Sequence, residues 1–118
     1  MGDQERRDFL SWMRLLAEEE APIWEIERGG VVAVGGERLT YGPWRREDCA
    51  AVLTQWLVAG LIGLYRPAVG EISNRTLTEQ EARSALANDA SWSLTGELGP
   101  LLFVTAEGKR LPEWPDVP

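Results

Sequence analysis

Apolar residues recur at three- and four-residue intervals in three stretches of this chain and gather into short runs elsewhere, and the mixture predicts an α+β fold. From Asp3 to about Glu20, Phe9, Trp12, Met13 and Leu16 fall on one helical stripe, widened by Leu10 and Leu15. Asp3 is placed to cap this helix, Glu5 sits in its electropositive first turn, and Ala21-Pro22 ends it. A second stripe, Cys49, Val52, Leu53, Trp56 and Leu57, predicts a helix from about Arg45 to Ala59 that stops at Gly60. A third helix is signalled by Thr78-Glu79-Gln80-Glu81, where Thr78 can cap the amide three residues on while Glu81 reaches back. It should extend to about Asn88 with Ala82, Ala85 and Leu86 facing inward.

Between the helices the period shortens. Ile23 to Glu27, Val31 to Val34 and Arg38 to Tyr41 are separated by the pairs Gly29-Gly30 and Gly35-Gly36, which predicts a three-strand meander. Leu61 to Arg66 and Leu101 to Thr105 predict two more strands, the second followed by a turn at Thr105-Ala106-Glu107-Gly108. The loop Ala68 to Leu77 and a loop carrying Trp92 complete the connections. In residues 112–118 a proline stands at every third position, the spacing of an extended polyproline strap, with Trp114 as its single large apolar residue. Residues 1–111 therefore read as one α+β domain with three helices and a small antiparallel sheet, and residues 112–118 as a tail.

Composition narrows the functional classes. The 118 residues include 44% hydrophobic positions and six Trp, enough for a true core. No run approaches the roughly 18 apolar residues that cross a bilayer, the first residues are charged, and one cysteine allows no internal disulfide. A cytoplasmic protein with no membrane association is expected. The net charge of −7 opposes a phosphate backbone, so DNA is a disfavoured partner. Eleven of the 12 basic residues are arginine, a bias in keeping with a GC-rich bacterial genome.

The segment Ala51 to Tyr65, with its helix ending at Gly60 and its Gly60-Leu61-Ile62-Gly63-Leu64-Tyr65 strand, resembles the winged-helix family. Leu102-Phe103-Val104-Thr105-Ala106-Glu107-Gly108 is similar to that family's closing strand, an apolar run into Thr-x-x-Gly. The resemblance covers about a quarter of the chain. It implies that Leu61–Tyr65 and Leu101–Thr105 pair antiparallel, and that DNA, if bound, would meet Arg45, Arg46 and the hairpin around Arg66. Glu47 and Asp48 directly follow the first two arginines, and residues 67–100 stand where the family has a short loop.

Candidate chemistry is sparse. With no histidine and no phosphate-binding, nucleophile-elbow or EF-hand motif, catalysis would fall to carboxylates, Arg, Tyr and one thiol. Cys49 has Arg45 and Arg46 near enough to lower its pKa, yet its place on an apolar stripe makes it a core thiol. Glu25 and Glu27, on one predicted strand face, and Glu79 and Glu81, at a helix start, read as solvated surface, as does the Glu18–Glu20 run. Trp12 and Trp56 belong to core stripes, whereas Trp24, Trp44, Trp92 and Trp114 fall in strands or loops and are the candidate partner-binding residues. The expectation is a non-enzymatic domain without cofactor or metal. It would act as a small acidic protein-interaction factor of the immunity or antitoxin kind, or as an accessory regulator, through a protein partner or self-association. A winged-helix DNA-binding regulator and a small-ligand binder with a Trp-lined pocket are the alternatives.

Overall fold

The computed structural model describes residues 1–93 and 99–115. Helix α1 (Asp3–Glu18) is followed by a short helix α2 (Trp24–Arg28), then strands β1 (Gly30–Val34) and β2 (Glu37–Tyr41). Helix α3 (Arg46–Val58) leads into β3 (Ile62–Arg66) and the two-residue β4 (Arg75–Thr76). Helix α4 (Glu79–Ala87), a 3-10 turn at Asp89–Trp92, β5 (Leu101–Val104) and helix α5 (Ala106–Arg110) complete the order. The fold is α+β with two separate antiparallel sheets, a β1–β2 ribbon and a three-stranded sheet in the order β4-β3-β5. Among the described residues no helix is long and apolar enough to cross a membrane.

The predicted stripes are the core. Phe9, Met13, Cys49, Val52, Leu53 and Trp56 are all buried, and they share one cluster with Leu64 and Leu102 of the three-stranded sheet. The Thr78 capping box forms as its residue types demand: the Thr78 hydroxyl accepts from the Glu81 amide at 3.1 Å, and the Glu81 carboxylate accepts from the Thr78 amide at 3.0 Å. The long-range pairing of β3 with β5 is also present, antiparallel from Ile62↔Val104 to Tyr65↔Leu101. The chain closes this sheet onto the end of α1, because the Leu102 amide donates to the Ala21 carbonyl and the Ile23 amide to that of Pro100.

Several elements differ from the sequence expectation. Ile23–Glu27 is not a strand but the start of α2, so the meander is a two-stranded ribbon, and Glu25 and Glu27 belong to a helix. The β-rich composition misleads here: Ile23 and Ile26 are buried three residues apart, a helical spacing five residues are too few to display. Among the described residues there are five α-helices, not three. The predicted turn after β5 is the capped first turn of α5, where the Thr105 hydroxyl accepts from the Gly108 amide. The loop after β3 contains β4 as well as a Val69↔Ile72 bridge. Of the loop beyond Trp92, residues 94–98 lie outside the described residues, as do the last three residues of the tail.

Candidate functional site

Four tryptophans were candidates for an exposed anchor, and most of their surface is spent on the protein itself. Trp92 is 3% exposed, and its indole N–H donates to the Leu86 carbonyl at 3.0 Å; it is a core residue, contrary to expectation. The cause is a second helical turn: the Asn88 side chain accepts from the Ala90 amide and folds residues 89–92 back under α4. Trp44 is half-buried, with its ring 5.1 Å from that of Phe9, and Trp24 is half-buried beneath the Arg28 guanidinium. Both have indole N–H groups buried without a hydrogen-bond partner.

Trp114 shows how the tail is used. Its ring lies edge-on to Trp56 at 4.8 Å, the Arg14 guanidinium stacks on it at 4.6 Å, and its N–H donates to the Gly108 carbonyl at 3.0 Å. Arg14 also donates to the carbonyls of Leu111 and Pro112, and the Trp56 indole donates to that of Pro115. Residues 111–115 are therefore a strap across the chain's own core. Trp114 is an intramolecular anchor.

The candidate DNA-contacting arginines do not form a basic face. Arg46 bridges two carboxylates, Glu27 at 3.2 Å and Asp89 at 3.0 Å, and the hydrogen bond to Glu27 leads in raising its pKa further. Arg45 is exposed at the head of α3, 3.7 Å from the Glu47 carboxylate. Arg66 lies at the far end of β3, opposite Arg75, whose guanidinium is paired with Glu81 at 2.9 Å. Cys49 is fully buried, and burial pushes its thiol up to about 12, with Glu27 and Asp48 adding to the shift. The thiol is thus raised, not lowered, although Arg45 and Arg46 stand close by in sequence.

Two clefts among the described residues are walled without tryptophan. A cleft of about 530 Å³ opens between α1 and the three-stranded sheet, lined by Glu20, Tyr65, Asn74, Phe103 and Lys109 among others. Another, of about 540 Å³, lies between β3, β4 and α4 with Arg66 and Arg75 on its wall. No tryptophan lines either cleft. In the first, the Tyr65 hydroxyl is raised above its usual pKa by burial and then by its hydrogen bond to Glu20. Glu20 ends α1 at a φ of 54°, a left-handed conformation usually left to glycine or asparagine.

The surface that stays unpartnered is one that pattern reading assigned only to strands. The β1–β2 ribbon runs in register from Gly30↔Tyr41 to Val34↔Glu37 around the Gly35-Gly36 turn. At its root Tyr41 stacks on Trp12 with centroids 5.6 Å apart, and a side chain at Gly30 would meet the Trp12 ring at 2.9 Å. Away from that root the apolar residues are open to solvent: Val31 is 54% exposed, Val34 55% and Leu39 40%. Among the described residues each strand has a single hydrogen-bonded neighbour, so the ribbon presents two edges free of described strands. The edges are unlike. β2 carries Glu37 and Arg38, whereas β1 is Gly-Val-Val-Ala-Val, with no charge and no proline. The physical signal in the sequence was this chargeless run beside two glycine pairs.

No protein-family model, no curated protein and no solved structure matches this chain.

Proposed function

We propose that this chain is a non-enzymatic protein-interaction domain that docks on a protein partner through the β1–β2 ribbon. The observation that carries the reading is the exposed, chargeless edge of β1, flanked by Val31 and Val34. Strand edges are blunted in proteins that use them for nothing, by charge, proline, bulges or a covering element, because open backbone donors and acceptors template pairing with another chain. An added strand satisfies those groups, and the valines on alternate faces supply selectivity. The acidic body supports the same reading, since a net charge of −7 resists indiscriminate association. The tryptophans contribute by holding the ribbon's root and the tail strap.

A photo-reactive amino acid placed at Val31 tests this directly. Capture of a protein that is lost when Ala33 is replaced by proline is the expected result. Equal capture from the same group at Ile72, on an exposed loop far along the chain, would remove the assignment to the ribbon.

A further inference from the structure

We infer that the β1 edge is built to pair with the β1 edge of a second copy of this chain, antiparallel and about a two-fold axis at Val32. The inference rests on the docking role of the ribbon and names its occupant. Laying β1 against itself with Val32 opposite Val32 uses all five residues of the strand, placing Val31 opposite Ala33 and Gly30 opposite Val34. Other centres leave residues of β1 unpaired or bring a valine against the turn.

This register resolves each exposed apolar side chain of the ribbon. Because Val32 already faces Leu39 across the hairpin, the central row becomes Leu39–Val32–Val32–Leu39, a continuous apolar line over four strands. Val34, more than half exposed in the single chain, falls opposite Gly30, where the Trp12 ring fills the space a side chain would take and offers the valine an apolar neighbour. Val31 falls opposite the small Ala33. The outer members of the flanking rows are Glu37 with Tyr41 and Arg38 with Thr40, so no two charges of like sign are brought together. The β2 edge makes a poorer seam, because its own Glu37 and Arg38 would border the junction.

The same pairing answers a weakness of the ribbon. A two-stranded sheet is marginal by itself, while four strands with a shared apolar row are not. Five residues of edge form a small contact, at the transient end of interface sizes, so the dimer is weak and follows protein concentration. Each copy carries −7, so its affinity rises as added salt screens the two fields.

Cross-linking reads the register. Residues directly opposite in an antiparallel pair have Cα atoms about 4.5–5.5 Å apart, inside the span a disulfide bridges. The Val32→Cys chain is therefore expected to give a covalent dimer on mild oxidation, with the native Cys49 silent in the core. Leu39→Cys, on the same face but three strand spacings or about 14 Å from its symmetry mate, is expected to give none. Sedimentation of the unmodified chain should move from monomer toward dimer as concentration rises. The shift should be lost in a Val31→Glu, Ala33→Glu double variant whose circular dichroism remains native. A chain that stays monomeric to millimolar concentration at moderate salt, or one that cross-links through position 39 and not 32, overturns the inference. If such a monomer still captures a different protein from position 31, self-pairing fails and the docking ribbon stands. If capture fails as well, both fall.

Discussion

The two sheets of this protein have ladders of almost equal length, five register pairs between β1 and β2 and four between β3 and β5, yet they belong to different physical regimes. In β3–β5 the inward residues Leu64 and Leu102 are completely buried, α4 packs on β3 and α1 on β5. In β1–β2 the root is covered by Trp12 and Val32 packs half-buried on the core, while Val31 and Val34 are more than half exposed. Backbone pairing is common to both, so it cannot be what separates them. What differs is the apolar area that each removes from solvent, the dominant favourable contribution to folding. A sheet that leaves such area uncovered in the single chain has it available for association.

The sharpest way to break this comparison is to attack the covered region. Trp56→Ala, which opens the core beneath the tail strap and removes the donor to Pro115, is expected to cost about 3–5 kcal/mol in chemical denaturation. A loss below about 1 kcal/mol would mean that α3 and the strap do not form one unit with the body. Leu102→Ala in β5 should cost about 2–5 kcal/mol, read from the same midpoint shift.

Alkali tests burial at Cys49. Its thiol is raised in the folded state, so the protonated form is favoured there, while the unfolded chain releases its proton near the ordinary value of 9.0. Stability from this group is thus fully present below pH 9.0 and is lost as pH rises from there toward about 12. Cys49→Ala should flatten that part of the stability–pH curve, and the native thiol should resist a disulfide reagent until the protein unfolds. Rapid labelling at neutral pH would contradict the buried placement.

The smallest effect is reserved for the ribbon. Val34→Ala should change the stability of the monomer by no more than about 0.5 kcal/mol, against the several expected at Leu102. Amide exchange should be correspondingly faster in β1 and β2 than in β3 and β5, and slow exchange in both sheets at low protein concentration would erase the distinction.

How much was legible in the sequence follows from how far each signal extends. The three longer helices announced themselves because α1 and α3 run through several turns of a regular stripe and α4 carries a capping box. The β3–β5 pairing was implied by the winged-helix resemblance of its two segments, while α2 and α5 were hidden because five residues cannot show a period. Thr105-Ala106-Glu107-Gly108 reads as a turn because a glycine closes it. Gly108 is instead buried so tightly against the Leu61 carbonyl that a side chain would collide with it. The site was less legible than the fold. Tryptophan chemistry drew attention to Trp24, Trp44, Trp92 and Trp114, yet an aromatic ring is as useful for closing a core as for meeting a partner. Exposure belongs to the three-dimensional arrangement, and Val31 and Val34 read as ordinary residues of a short apolar strand although each is more than half exposed.

The strap sets a timetable for synthesis. Arg14 leaves the ribosome early, but the carbonyls it grips belong to Leu111 and Pro112, and the acceptor for the Trp56 indole is Pro115. β3 likewise waits for β5. A nascent chain stopped before residue 101 therefore holds a β3 without its β5 partner and a tryptophan without its strap, whereas the ribbon has all its pairing neighbours within residues 30–41. The ribbon, whose Val31 and Val34 stay more than half exposed in the finished molecule, thus has its partners early in translation, and the body closes only when the far end of the chain arrives.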